Sequence, residues 1–197
     1  MLAAHRVVEA VTAASEVRRT DRLRMRMFDE SDVDLLVELD SDPEVMRYLT
    51  GGTPTPREDI ANRVLPAILA CHRRPDGLGV WAAELLATGE FVGWFELCPR
   101  RTDPPGSAEL GYRLRRAHWG GGLGTEGSLA LVRAAFTEFG LDRVYAQTMA
   151  VNAGSLRVMA KAGLRYVRTF DAGFDDPIPG TEDGEVEYEI TRADWES

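Results

Sequence analysis

The residue types with the clearest chemistry lie in one stretch, Arg115-Arg116-Ala117-His118-Trp119-Gly120-Gly121-Gly122-Leu123-Gly124-Thr125-Glu126. Ala108 to Leu114 ahead of it reads as a strand. Leu123 to Phe139 behind it carries apolar residues at helical spacing. The glycines thus stand where a strand passes into a helix. The first N–H groups of a helix have no partner within it, and the helix dipole adds partial positive charge there. Without a Cβ, glycine lets an anion approach those groups closely. Strand, glycine loop and helix together form an anion site, most often for phosphate. The loop lacks the Lys-Ser/Thr of a Walker loop. Gly120, Gly122 and Gly124 alternate and do not give the Gly-x-Gly-x-x-Gly of a dinucleotide fold. A tight turn into a buried helix explains the same glycines, so the spacing alone leaves both readings open.

The elements that must hold this loop follow from periodicity. Leu23, Met25 and Met27 alternate with Arg22, Arg24 and Arg26, the mark of a half-buried strand. Asp29 or Ser31 caps a helix to Leu39, and Asp42-Pro43 opens a second one closed by Gly51-Gly52. Thr53-Pro54-Thr55-Pro56 leads into a helix from about Arg57 to Cys71, and Pro75-Asp76-Gly77 is turn chemistry. Val80–Leu86 and Glu90–Leu97 form a hairpin about Ala87-Thr88-Gly89. Pro99 to Ser107 is a polar loop whose Arg100 and Arg101 read as solvated. Leu129, Val132, Phe136 and Phe139 mark the helix after the glycines, stopped by Gly140. A strand at Arg143–Met149, a helix from Asn152 to Ala162, a strand at Leu164–Phe170, an acidic loop at Asp171–Gly184 and a strand at Val186–Thr191 complete the chain. Val7 to Val17 has helical spacing, and a disordered extension is an equal reading.

Composition sets bounds. The 197 residues are 44% hydrophobic and 28% charged, ordinary for a globular chain with a substantial core. No apolar run approaches membrane-spanning length, and Glu9 and Glu16 interrupt any secretory segment. Cys71 and Cys98 have no metal spacing and read as free thiols of a reducing compartment, with the cytoplasm as the expected location and no metal site. The net charge of -9 is local: from Phe170 onward ten acidic residues face Arg192 alone, and elsewhere 22 acidic and 22 basic residues cancel. Such a segment suits a cationic amine and disfavours nucleic acid.

The glycine stretch resembles the pyrophosphate loop of the GNAT acyl-CoA-dependent N-acetyltransferases, with pattern Gln/Arg-x-x-Gly-x-Gly/Ala. Gly122 and Gly124 fill the glycine slots, and Trp119 stands in the Gln/Arg slot. That variant is similar to the RimJ/RimL branch, which acetylates protein N-termini and includes small-molecule acetyltransferases. Thr20-Asp21-Arg22-Leu23-Arg24-Met25-Arg26 resembles the branch's opening strand. Asp42-Pro43-Glu44-Val45-Met46-Arg47-Tyr48-Leu49 resembles its first helical hairpin. Asn152 to Leu164 resembles its Asn-x-x-Ser…Lys-x-Gly-Phe segment, and Tyr188 to Trp195 its closing strand. The likeness covers residues 20–197 and leaves 1–19 as an N-terminal extension.

The resemblance implies an α+β fold, a mixed and mostly antiparallel sheet flanked by helices. It implies direct attack of an amine on acetyl-CoA, the acceptor being a protein N-terminus or a small amine. Succinyl-CoA or another acyl-CoA as donor, and a non-catalytic acyl-CoA-binding module, are the alternatives. Leu114, Arg115 and Arg116 would offer backbone to the pantetheine arm, with Arg143–Met149 as the opposite wall. Trp119, Gly120, Gly121, Gly122, Leu123, Gly124 and Thr125 would hold the diphosphate. Glu109 would accept the amine proton, with Glu96 as rival. Asn152 would contact the cofactor, and Ser155 would serve as acid toward the thiolate and contact the cofactor as well. Tyr145 and Tyr166 are weaker acids, and His118 belongs to the loop. Asn152 and Ser155 are also good helix caps. Pro54 to Arg63 is a candidate acceptor lid, or an ordinary connection between helices. Trp81 and Trp94, on the hairpin strands, read as buried aromatic packing, with a place facing the acceptor as the alternative. The oligomeric state stays open, a homodimer included.

Overall fold

A segment that alternates Leu23, Met25 and Met27 with arginines can bury one side only if it is extended. It forms β2 (Leu23–Met27), in which Leu23 and Met25 are fully buried. The computed structural model describes residues 18–173 and 176–197; the helical spacing at Val7–Val17 lies outside them. Arg18–Arg19 (β1) pairs with β2. The other strands are β3 (Gly79–Leu85), β4 (Phe91–Cys98), β5 (Ser107–Leu114), β6 (Arg143–Met149), β7 (Arg165–Phe170) and β8 (Glu185–Thr191). Together they form an 8-stranded sheet in the order β1-β2-β3-β4-β5-β6-β8-β7. All neighbours are antiparallel except β5 and β6. A parallel step needs a crossover, and α4, the helix after the glycines (Leu123–Thr137), supplies it. The expected mixed, mostly antiparallel α+β sheet with flanking helices is the observed one.

The sheet divides two apolar layers. On one face Phe95, Leu97, Ala108, Leu110 and Leu114 pack against Leu131, Val132, Ala135 and Phe136 of α4 and Met159 of α5 (Ala153–Lys161). A Cβ on Gly127 would sit 2.6 Å from Cε2 of Phe95, so α4 lies on β4 only because this position is glycine. On the other face Val80, Ala82, Phe91 and Cys98 pack against α1 (Val33–Ser41), α2 (Pro43–Thr50) and α3 (Arg57–Cys71). This second layer covers β3 and β4. The same face of β5, β6, β8 and β7 carries charged side chains instead.

Local chemistry fixes the ends. Asp29 accepts from the N–H of Ser31 and caps a short 3-10 turn that leads into α1. Asp42 caps α2, with Pro43 at its first position and Gly51 at φ 67 closing it. The helix expected from Arg57 to Cys71 forms, but in three pieces: α-helical Arg57–Asp59, π-helical Ile60–Val64 and α-helical Leu65–Cys71, together α3. Pro66 has no N–H for the turn before it, and the wider π turn takes up the mismatch. The closing strand stops at Thr191. Arg192–Trp195 is a helical turn (α6), because Thr191 and Asp194 form a reciprocal capping box. Cys71 and Cys98 are free thiols in the second core layer, and burial pushes the Cys98 thiol up.

Candidate functional site

The site begins with a fork in the sheet. β5 pairs with β6 only at Ser107, Ala108 and Glu109. Beyond Glu109, β5 stays with β4 to Leu114, while β6 stays with β8 to Met149. The N–H of Arg115 donates to the Val92 carbonyl at 2.8 Å. Antiparallel alternation then turns the main-chain groups of Tyr112 and Leu114 away from β4 and into the fork. Of the three residues expected to meet a pantetheine arm, Arg115 spends its N–H on β4, and its carbonyl accepts from the His118 N–H. The Arg116 carbonyl accepts from the Trp119 N–H. The Leu114 carbonyl takes the Trp119 indole N–H at 2.8 Å. The fork's free backbone is therefore that of Tyr112, two residues before the expected stretch, with the N–H of Leu114.

The fork opens toward the glycine loop. Gly120 and Gly122 take φ 73 and φ 82, which L side chains rarely adopt, and no atom stands within 4 Å of a Cβ on Gly120. Gly122 is the N-cap of α4, and no side chain caps that helix, so its first N–H groups face outward. Gly124 serves a second purpose: a Cβ there would meet Leu114 and Val158 at 3.4 Å, the point where α4 passes β5 and α5. Leu123 is a core residue, and only its backbone belongs to the loop. Thr125 is half-buried on the first turn. Trp119 folds back onto β5 and stays half-exposed. His118 bonds Glu90 at 3.1 Å, tying the loop to the β3–β4 hairpin. The Arg115 side chain pairs with Glu38, whereas the exposed Arg116 side chain has no partner among the described residues.

At the apex of the fork two carboxylates meet one arginine. Glu96 of β4 lies opposite Gly111, and Glu109 lies opposite Cys98, so both carboxylates share the charged face. The loop arginine expected to be solvated, Arg100, bonds both of them, Glu96 at 2.9 Å. Two opposite charges within reach are a stronger claim on a guanidinium than water when the carboxylates are partly desolvated. Burial pushes the Glu96 carboxyl above its ordinary range despite Arg100. Its side chain rests on Gly111, where a Cβ would stand 2.7 Å from Cγ and 2.9 Å from Cδ. Asp103 accepts from the Arg100 N–H at 2.8 Å and from the Tyr145 hydroxyl at 2.9 Å, which ties the β4–β5 loop to β6. An open cleft of about 360 Å³ lies there, lined by Arg100, Asp103, Glu109, Arg143, Tyr145, Arg168 and Glu187 among others. Glu187 is buried and accepts from Arg143 at 2.7 Å and from Gln147 and Arg168 at 2.8 Å. Glu185 at the rim has no bonding partner among the described residues, and burial with the neighbouring Glu109 pushes its carboxyl up.

On the opposite side of the fork the Tyr112 hydroxyl meets Ser155 Oγ at 2.8 Å. Burial pushes the Tyr112 hydroxyl up to about 12, so it holds its proton at neutral pH. Tyr112 was not among the sequence candidates. Its one signal is a polar tip between Leu110 and Leu114 on an otherwise apolar face. Ser155 stands in the fork wall. Asn152 caps α5, accepting from the Ser155 N–H at 3.2 Å and donating to Thr148 at 3.0 Å. Tyr145 faces the charged cleft, and Tyr166 lies exposed on the edge strand β7, away from the fork. Trp81 is buried in the first layer, stacked near Phe139, and Trp94 lies on the charged face beside Arg113. Thr55, in the candidate lid, bonds the buried Asp40, which also pairs with Arg113 of β5. No group of three His, Cys, Asp or Glu suited to a metal occurs among the described residues. Nor does any helix there have the length and apolarity to cross a membrane.

An open fork with free backbone, ending at an uncapped helix mouth lined by glycines, fits a long thioester with a diphosphate. Residues 22–165 match the model of an acetyltransferase (GNAT) domain. The FsC-acetyl coenzyme A-N(2)-transacetylase of Aspergillus fumigatus is 39% identical over 188 residues, covering 92% of this chain and 79% of that protein. A GNAT-family acetyltransferase structure from Bacillus anthracis superposes with a TM-score of 0.73 at 24% identity, covering 89% of this chain and 98% of the other. RimL, a ribosomal L7/L12 alpha-N-protein acetyltransferase solved with coenzyme A, superposes with a TM-score of 0.74 at 18% identity over 89% and 98% of the two chains, a likeness of fold. The forked sheet and a sequence that matches over most of its length lead to one assignment: the chain belongs to the GNAT family of acetyltransferases, enzymes that take their acetyl group from acetyl-CoA.

Proposed function

We propose that this N-acetyltransferase acts on a positively charged primary amine, that Glu96 receives the amine proton, and that Ser155 with Tyr112 returns a proton to the departing thiol. Acetyl-CoA, when bound, supplies the activated acetyl group. The glycine loop and the mouth of α4 hold the diphosphate, and the fork aligns the arm, so that much of the rate comes from holding two reactants in line.

The observation that carries the acceptor class is the charge of the cleft. In the lining itself Asp103, Glu109 and Glu187 are matched by Arg100, Arg143 and Arg168; the excess comes from Glu96, Glu185 and Glu189 beside it, against Arg113, which Asp40 already pairs. Partly desolvated carboxylates in excess attract an ammonium and repel an anionic acceptor. The Aspergillus relative is named for transfer to an N(2) amine and RimL for transfer to a protein N-terminus; the identities, 39% against 18%, favour the former type of acceptor.

We place the proton acceptor at Glu96 rather than Glu109. A general base works best when its pKa nears the working pH, and burial raises Glu96. Gly111, on which it lies, is two residues past the last β5–β6 pair, beside the fork backbone of Tyr112. Glu109 then binds the incoming cation. Tyr112 stays protonated and donates to Ser155 or through it.

The test is thiol release from acetyl-CoA with cationic amines, neutral amines and N-terminal peptides, for wild type, Glu96→Gln and Glu109→Gln. Glu96→Gln should lower kcat about a hundredfold or more. Its deficit should shrink as pH rises toward the amine's own pKa, where the free amine no longer needs a base. Glu109→Gln should act mainly on acceptor KM. A cleft that prefers neutral or anionic acceptors, or a Glu96→Gln enzyme with the wild-type pH profile, sinks the proposal.

A further inference from the structure

The opening motif Thr20–Arg26 and Glu126, the residue that follows the glycine loop, are far apart in sequence, and neither has a place in the chemistry so far. The fold joins them. Glu126, on the first turn of α4, accepts from the Arg22 backbone N–H at 2.9 Å, from Arg22 Nε at 2.6 Å and from the Thr20 hydroxyl. Nη2 of Arg22 lies 2.6 Å from the same carboxylate. The fork of the guanidinium is thus fixed on one side. On the other side Nη1 donates to the Gly121 carbonyl at 2.9 Å, and Nη2 lies 3.5 Å from where a Cβ on Gly122 would stand.

A carboxylate at a helix N-terminus competes with any anion sought there. Glu126 does not cap its helix: Oε1 takes the Thr20 hydroxyl and the Arg22 backbone N–H, and Oε2 faces both Nε and Nη2 of Arg22, which neutralises its charge. Burial is modest on the arginine side, whose side chain is 50% exposed. Its remaining N–H groups therefore look outward over Gly121 and Gly122. A guanidinium in this position suits a phosphate.

We propose that Arg22, oriented by Glu126 and Thr20, is a positioning residue for the diphosphate. It holds the glycine loop open by the Gly121 carbonyl and presents its free N–H groups to a phosphate oxygen of the acyl donor. This rests on the reading of the loop as the diphosphate site.

The experiment compares two acyl donors, acetyl-CoA and S-acetylpantetheine, which lacks the diphosphate, on wild type, Arg22→Ala, Arg22→Lys and Glu126→Gln. Arg22→Ala should raise the KM for acetyl-CoA on the order of tenfold to a hundredfold, the loss of one or two charge-assisted hydrogen bonds. Its kcat/KM for S-acetylpantetheine should stay within about twofold of wild type. Arg22→Lys keeps the charge without the fork and should recover part of the loss. Glu126→Gln should follow Arg22→Ala in direction. Equal losses on both donors would make Arg22 a fold-supporting residue and overturn the proposal, as would no loss on either. If wild type itself does not distinguish the donors, the loop reading fails and the proposal goes with it. If wild type distinguishes them and Arg22→Ala does so equally, Arg22 alone is excluded. Arg22→Lys keeps the comparison available if Arg22→Ala does not fold.

Discussion

Gly111→Ala tests the proton acceptor without touching a carboxylate. Glycine there is not in the left-handed region, so alanine adopts the same backbone. Its Cβ would stand 2.7 Å from Cγ of Glu96 and 2.9 Å from Cδ. Carbon contacts settle at about 3.5–4.0 Å, so the Glu96 side chain must retreat by roughly 0.8 Å or more. The obstacle is the end of a flexible side chain and not backbone, so stability should change little. Alanine restricts the unfolded chain, worth about 0.4–1 kcal/mol, which offsets part of the weakened Arg100 contact. With a Tm change of about 2–4 °C per kcal/mol at this size, the melting temperature should stay within a few degrees. Activity should not. A displacement near 1 Å in a catalytic geometry costs about a hundredfold. We therefore expect kcat to fall roughly 30-fold to 100-fold, by steady-state thiol release, with KM for acetyl-CoA close to wild type. Displacement toward solvent should also bring Glu96 back toward the ordinary carboxylate range and move the ascending limb of the pH–rate profile to lower pH. A Gly111→Ala enzyme with full kcat and the wild-type limb would refute Glu96 as the base.

Two other expectations follow from the same geometry. Tyr112→Phe removes the hydroxyl bonded to Ser155 and should lower kcat about tenfold to a hundredfold while leaving the acceptor KM in place; an unaltered kcat would remove Tyr112 from the proton path. Glu187→Ala strips the shared partner of Arg143, Gln147 and Arg168; Arg168 is solvent-exposed and Arg143 keeps Glu189, so the loss should be about 1–3 kcal/mol, read by chemical denaturation. The native contacts hold the Glu187 carboxyl below its ordinary value, so its contribution is present above the unfolded pKa and is lost as pH falls through the folded one; wild type should lose more stability than Glu187→Ala on acidification, and parallel curves would contradict this.

Periodicity made the sheet and helices legible, because alternation and 3.6-residue spacing are local properties of β2 and α4. The glycine loop was legible for the same reason: Gly120 and Gly122 take positive φ at the strand–helix passage their spacing marks. The fork was not. It depends on β5 keeping β4 and β6 keeping β8 after Glu109, a matter of register between segments separated by a helix. Tyr112 was missed because its value lies in Ser155, on a helix 43 residues on. Arg100 reads as solvated in a Pro-rich loop, since nothing local announces that two carboxylates wait across the strands. The ranking of Glu109 and Glu96 turned on Gly111, a residue that looks like an ordinary strand glycine until its cross-strand partner is known.

The pairing of Arg100 with both carboxylates has a consequence for how the acceptor enters. A guanidinium within bonding reach ordinarily depresses a carboxyl, yet Glu96 lies above its ordinary range, so desolvation outweighs Arg100 at that position. The cost of keeping Glu96 charged is therefore only partly met by the protein itself. An arriving ammonium can supply the rest, and it competes with Arg100 for the same oxygens. Arg100 is held through its backbone by Asp103, which also receives Tyr145, so its side chain can yield while the loop stays tied to β6. A neutral acceptor gains nothing from this exchange, whereas a cationic one replaces a contact already paired with Glu109. On the proposed reading Glu109 draws in the cation and Glu96 takes its proton, and a substitution that frees Glu96 from Arg100 should weaken the preference for a cationic acceptor before it abolishes turnover.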